Sequence, residues 1–409
     1  MSNPLYDVII VGAGPAGAAA AHALGEAARR VLVLEKEALP RYKPCGGGLS
    51  AALLAQFPFS FAPVVESRVT AITYAFGRHK ITVSLPPDQM RMVMRDAFDH
   101  YLLQHAQADV RQNAAVHHVV EAAGRVAAWL EDGRSVEGRY LIAADGAASR
   151  VARDVGLRRK KHLAAAIEAE VPVSDSVMRR FAGRPLFIFG EVQRGYLWVF
   201  PKAEHLSVGI GAFKPGRGEL QRTLRRVMTR YDIPLAGARL YGHPLPIYTG
   251  RQPIATRRVL LVGDAAGLVD PLTGEGIRFA VESGRLAAAA LAAGRPEYYP
   301  QLVRRQIGRS HTYGLALAWL FYHFPGACYE LGARNPLATS AFVDLLSGRT
   351  TYPRLIARLF GTLPLFLATE AVAALAGLAG SGERRRQVRR LVYGEWAAHD
   401  APPGRRAKA

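Results

Sequence analysis

The run "YDVIIVGAGPAGAAAAHALG" at residues 6–25 constrains this chain more than any other stretch, because a β-rich segment leads directly into three spaced glycines and a helix of small residues. Strand, tight turn and helix in that order make the first half of a βαβ unit, which the β-rich "RVLVLEKE" completes. Gly12 allows the turn, Gly14 lets an oxyanion approach the backbone, and Gly17 lets the helix pack closely on the strand. The helix start at Pro15, Ala16 and Gly17 then faces a pyrophosphate. Glu35, followed by Lys36, ends the second strand eighteen residues beyond Gly17. A carboxylate there accepts from both hydroxyls of an adenosine ribose and repels a 2′-phosphate, so the site suits FAD or NAD and not NADP. A purely structural glycine turn is the alternative.

A second glycine cluster, "PRYKPCGGGLS" at residues 40–50, begins only five residues after Glu35. An NAD dehydrogenase would run straight into its next βα unit. Here Arg41, Lys43 and the backbone of Cys45, Gly46, Gly47 and Gly48 make a loop suited to the diphosphate and ring of an extended cofactor. A third cluster, "LLVGDAAGLVDPLTGEGI", sets Gly263 and Asp264 at a strand end, where a carboxylate can bind a polyol chain. The amides from Gly274 through Gly276 to Ile277, at the next helix start, can stabilise negative charge on a reduced flavin ring. Three clusters in this order point to a flavin.

The rest of the chain suggests two interleaved domains and an appendage. Residues 1–60, 86–155 and 250–300 read as a discontinuous FAD-binding domain, 61–85 and 156–249 as a β-rich substrate domain, and 301–409 as a helical C-terminal region in contact with lipid. A helix is expected over "MVMRDAFDHYLLQHAQ", and "EDG" at residues 131–133 marks a hairpin turn. Lys and Arg outnumber Asp and Glu by 53 to 33, and that excess could attract nucleic acid or anionic lipid. No aromatic-and-basic RNA motif or DNA-reading helix accompanies it, which argues against nucleic acid and for a membrane surface. Two isolated cysteines, Cys45 and Cys328, make neither a disulfide framework nor a zinc site and fit a reducing cytoplasm. The twelve histidines form no metal pattern, and no metal is expected. The apolar run at 361–380 is interrupted by Pro364 and Glu370, and it reads as a buried or surface-lying helix in preference to a span. The location expected is the cytoplasm, at the inner face of the membrane.

In "GYLWVFPK", Tyr196, Trp198 and Phe200 share one face of a strand, and Pro201 is expected to end its pairing. That face is either sheet core or an apolar wall for a hydrocarbon substrate.

The motifs "GAGPAG", Glu35, "PRYKPCGGGL", "VMRDAFDHYL" with Arg95 and Asp99, "ADGAASRVAR" with Asp145, "YLWVFP" and "GDAAGLVDPLTGEGI" span most of residues 5–290. Together they resemble the geranylgeranyl reductase family of flavoproteins, within the class sharing the p-hydroxybenzoate hydroxylase fold. The resemblance implies an α/β Rossmann-like FAD-binding domain, an inserted antiparallel β-sheet substrate domain and a helical C-terminal region. It also implies FAD held by Gly12, Gly14, Gly17, Glu35, Arg41, Arg95, Asp145 and Asp264, and reduction of isolated carbon–carbon double bonds in prenyl chains. The loop Cys45-Gly46-Gly47-Gly48-Leu49-Ser50 is closer to lipid-reducing members than to the Cys-Gly-Gly-Ala-Ile-Pro loop of chlorophyll-reducing ones.

Saturating an alkene takes a hydride, which no side chain supplies and reduced flavin does, and a proton. Cys45 is the candidate catalytic thiol, with the reduced flavin's own proton and a water as competitors. No second dinucleotide fingerprint is present, so NADPH, a ferredoxin or a quinol are all open as reductant, the second of these a protein partner. A flavin monooxygenase or halogenase and an electron carrier are the competing functions. Tyr196 and Phe200 depart from the Trp-x-Trp-x-Ile-Pro strand of halogenases.

Overall fold

A computed structural model describes residues 5–158, 160, 162–250, 252–378 and 382–393. The basic run "ERRRQVRR" at 383–390, read from the sequence as part of a frayed tail, lies in the helix Gly382–Tyr393, and residues 394–409 lie outside the described residues.

The apolar run before Gly12 becomes the strand Tyr6–Val11, central in a sheet ordered Asp109–Arg111, Val31–Leu34, Tyr6–Val11, Ser135–Ala143, Arg125–Leu130 and Val116–Ala122. It pairs in parallel with Val31–Leu34 and with Ser135–Ala143, whose far end also pairs in parallel with Val259–Leu261. Strands buried on both faces read as continuous Val, Ile and Leu, as Val31–Leu34 and Val259–Leu261 do. The helix Pro15–Glu26 covers one face and crosses the helix Ile277–Ala292 so closely that a Cβ on Gly284 would lie 2.2 Å from the Ala16 carbonyl oxygen. Alanine and glycine at that crossing let two helix backbones share one face of the sheet.

The second sheet runs Tyr241–Pro246, Leu163–Pro172, His205–Phe213, Gly195–Pro201, Leu186–Phe189, Ala71–Phe76 and His79–Ser84. It is antiparallel except at one junction, where Leu186–Phe189 and Ala71–Phe76 pair in parallel. That junction joins two separated pieces of chain, so no hairpin fixes its direction. One face buries Leu197, Val199, Val208 and Ile210 in a core of its own, and the other looks toward the first sheet's loops.

Between the sheets, Gly48–Ser50, Met90–Val93 and Val65–Arg68 form a small antiparallel sheet. Met90–Val93 is therefore strand, and the helix expected from residue 92 begins at Arg95. After residue 300 the chain is helical, with Arg309–His323, Pro336–Leu346, Tyr352–Leu378 and Gly382–Tyr393 as its longer elements. Among the described residues, Tyr352–Leu375 alone is long and apolar enough to cross a membrane by length and composition, and 17% of its most apolar stretch is buried.

Candidate active site

The loops of both sheets and the C-terminal helices enclose a cavity of about 1380 Å³. Ordinary small-ligand sites hold roughly 300–1,000 Å³. At one end Gly12, Gly14, Pro15 and Ala16 line it beside Glu35 and Lys36. Gly12 has φ +102°, and a Cβ there would lie 2.4 Å from the Ala144 carbonyl oxygen. A Cβ on Gly17 would lie 1.9 Å from the Gly12 carbonyl oxygen, so Gly17 supports the turn from behind and does not line the cavity. Glu35 is fixed by the Ala13 amide, 2.8 Å from Oε2, with Arg41 Nε 3.6 Å from the same oxygen.

Farther along, Arg41, Cys45, Gly46, Gly47, Arg95, Asp145, Asp264, Gly274, Gly276 and Ile277 line the same cavity. Gly263 instead packs behind the wall on Ala16 and Ala280. Arg95 donates to both Asp99 oxygens at 2.8 Å, and Arg41 reaches Asp99 at 3.3 Å. Burial opposes the Arg95 charge, but Asp99 outweighs it and holds the guanidinium protonated. The Cys45 sulfur accepts from the Gly47 amide at 3.4 Å, and the Arg95 guanidinium lies close enough to feel its charge. Asp145 accepts from Ser149 Oγ, the cap of the short helix Arg150–Asp154, at 2.7 Å and from the Val151 amide at 3.0 Å, while burial raises its pKa. Asp264 is half-buried, and although desolvation opposes its charge, His243, with Nε2 3.7 Å from Oδ2, and the charge of Lys43 outweigh it and lower its pKa. Lys43 stands 3.1 Å from His243 Nε2.

The rings of Tyr196, Trp198 and Phe200 all line the cavity, while Leu197 and Val199 between them face the second sheet's core. The neighbouring strand His205–Phe213 opposes them with Gly211, Gly209 and Ser207. A Cβ on Gly209 would sit 2.1 Å from the Trp198 ring, so the indole leans across a position that has no side chain. Pro201 differs from expectation on two counts. It does not line the cavity, and it does not end the pairing: it opposes Leu206, and the Lys202 amide bonds the His205 carbonyl at 2.9 Å. N–H groups alternate sides along a strand, so the donor that proline lacks would face away from His205–Phe213, beyond the last residue paired with Leu186–Phe189.

The sequence reading passed over Tyr42, Glu168, Lys202 and His243. Lys202 is 2% exposed, with Nζ 2.7 Å from the carbonyl oxygens of both Gly46 and Val93, and it staples the Cys45–Gly48 loop to the small sheet. The paired glutamates of "AAAIEAEVP" in an otherwise apolar strand were the one available signal for Glu168.

The donor set fits an extended dinucleotide. A Cβ placed on Gly14 would meet only Arg41 Nη2, at 3.7 Å, and Trp198 Nε1 is buried without a partner. A family model described as an FAD binding domain matches residues 5–204. A digeranylgeranylglycerophospholipid reductase from Methanopyrus kandleri is 32% identical over 69% of this chain and 79% of its own. A menaquinone reductase from Mycolicibacterium smegmatis is 30% identical over 78% of this chain and 85% of its own. The chain belongs to the geranylgeranyl reductase family of FAD-dependent oxidoreductases. A geranylgeranyl bacteriochlorophyll reductase-like protein from Thermoplasma acidophilum shares the fold of this family member, with a TM-score of 0.74 and 24% identity over 89% of this chain and 98% of that one. The p-hydroxybenzoate hydroxylase-like fold read from the motifs is thus the fold of the molecule.

Proposed function

We propose that the protein hydrogenates isolated carbon–carbon double bonds in the prenyl chain of a lipid or related isoprenoid. The observation that carries this is continuity: the Gly12–Gly17 turn, the Cys45–Gly48 loop and the aromatic stripe open onto one cavity, which goes on between Leu317, Phe321, Phe342, Leu355 and Leu359 of the C-terminal helices. An apolar channel of that kind suits a long hydrocarbon and offers little to a polar substrate. The relatives' names, one for a lipid with geranylgeranyl chains and one for an isoprenoid quinone, support the same substrate class.

In this reading the first sheet and its helices hold FAD, the second sheet floors the substrate pocket, and the helices after residue 300 meet a membrane peripherally. The pyrophosphate would lie over Gly14 and Pro15 beside Arg41, the ribose hydroxyls at Glu35, the polyol chain at Asp264, and the ring against Cys45–Gly47 and the amides of Gly274 to Ile277. Bound FAD, once reduced, supplies the hydride. The protein's part is to hold the alkene against that loop with Tyr196, Trp198 and Phe200, exclude water, and keep Cys45 in register through Arg95 and Lys202. Prenyl lipids of graded length should each gain two mass units per double bond when incubated with the protein and dithionite. Recovery of all of them unchanged, with flavin fully bound, would contradict the proposal.

A further inference from the structure

The row of residues that floors the cavity runs in register across six strands: Tyr241, Glu168, Gly209, Trp198, Phe187 and Tyr74. Five of the six are aromatic or glycine. The sixth is a carboxylic acid, 2% exposed, lining the same cavity as the rings. Its Oε1 accepts from the Tyr42 hydroxyl at 2.8 Å, and its Oε2 is buried without any partner. A buried ionised carboxylate with a bare oxygen is costly, and such a group keeps its proton instead. Burial first, and then the neighbouring Glu170, push Glu168 up to about 7, against the pull of Tyr42, the Cys45 amide and Lys202.

We propose that Glu168 is the proton donor of the site and that Tyr42 recharges it from solvent. This rests on the prenyl-reductase function proposed above. As the hydride adds to one alkene carbon, the O–H bond at Glu168 breaks and its proton forms the C–H bond on the other carbon. The π bond is consumed, and the electron pair of the O–H bond stays on the carboxylate. The hydride comes from the family's reduced cofactor. Tyr42 is 37% exposed and its hydroxyl donates to the buried acid, which makes it the link to solvent that the proposal assigns.

The groups facing Glu168 do not duplicate its role. Lys202 is committed to two carbonyls. Glu170 pairs with His205 at 2.9 Å. From the adjoining strand Tyr241–Pro246, His243 is turned to Lys43 and Asp264, and the Tyr241 ring packs tilted against Tyr42 with centroids 4.5 Å apart.

The test uses the flavin-loaded protein and its Glu168→Gln, Glu168→Asp and Tyr42→Phe variants. Infrared titration of the oxidised holoprotein should show a protonated-carboxyl band that disappears as pH rises through about 7 and is missing from Glu168→Gln. In anaerobic single turnover, wild-type hydrogenation should fall above that pH. Glu168→Gln should be slowed at least about tenfold with the fall removed, and Glu168→Asp should restore part of both. Tyr42→Phe should slow repeated turnover more than the first. A Glu168→Gln variant with an unchanged band, rate and pH profile would overturn the proposal. If wild type reduces no prenyl lipid, the function proposed above fails, while the infrared band still reports whether Glu168 holds a proton.

Discussion

Lys202 and Glu168 lie on adjacent sides of the Cys45 loop, and each makes a prediction at the scale of one side chain. Lys202→Met keeps most of the volume and leaves the Gly46 and Val93 carbonyls unpaired. An unsatisfied buried group costs about 1–3 kcal/mol. Thermal melting should drop by several degrees, and an unchanged melt would show that water replaces the ammonium. For Glu168 the folded value, about 7, lies above the ordinary 4.5. The unfolded chain therefore gives up its proton first, and stability is lost as pH rises from the lower value through the higher. The loss amounts to roughly 3 kcal/mol at most. Glu168→Gln should gain on wild type in melting temperature between pH 5 and pH 8, and a difference independent of pH would contradict the assignment. The sequence marks Glu168 only as a charge in an apolar strand and Lys202 not at all, because the role of each depends on strand register: Glu168 meets the stripe only across Gly209, and Lys202 meets its carbonyls only through the small sheet.

Periodicity carried the larger elements. The turn at Gly12 to Gly17 and the stripe of Tyr196, Trp198 and Phe200 were both visible, since glycine spacing and strand parity are local properties. The end of a strand is not local. Pro201 reads as a stop, yet its missing donor falls on the side with no partner. The trough beside the stripe depends on Gly209, where Gly209→Val would drive Trp198 out of its place. That variant should bind prenyl lipid at least about tenfold more weakly while keeping its flavin spectrum, as measured by equilibrium titration. Loss of flavin instead would make Trp198 part of the cofactor's support.

For the molecule as a whole, the motifs identified the fold and the cofactor, whereas the region after residue 300 carried little besides hydropathy. The helix expected to be buried or to lie at the surface is largely exposed, with Phe360 72% and Leu375 66% accessible, and Phe360 lies beside the apolar end of the cavity. A pocket whose apolar end carries an apolar exposed helix suits a substrate drawn from lipid. We therefore expect co-sedimentation with anionic vesicles, reduced several-fold by Phe360→Asp. Equal binding by the variant would separate the helix from membrane contact.

The most direct measurement is anaerobic. The flavin-loaded protein is reduced with one equivalent of dithionite and mixed with a geranylgeranyl lipid while flavin absorbance is followed. Hydrogenation of the prenyl chain predicts that the yellow oxidised spectrum returns without oxygen, in step with a saturated bond in the product. A flavin that stays reduced until oxygen is admitted would contradict it.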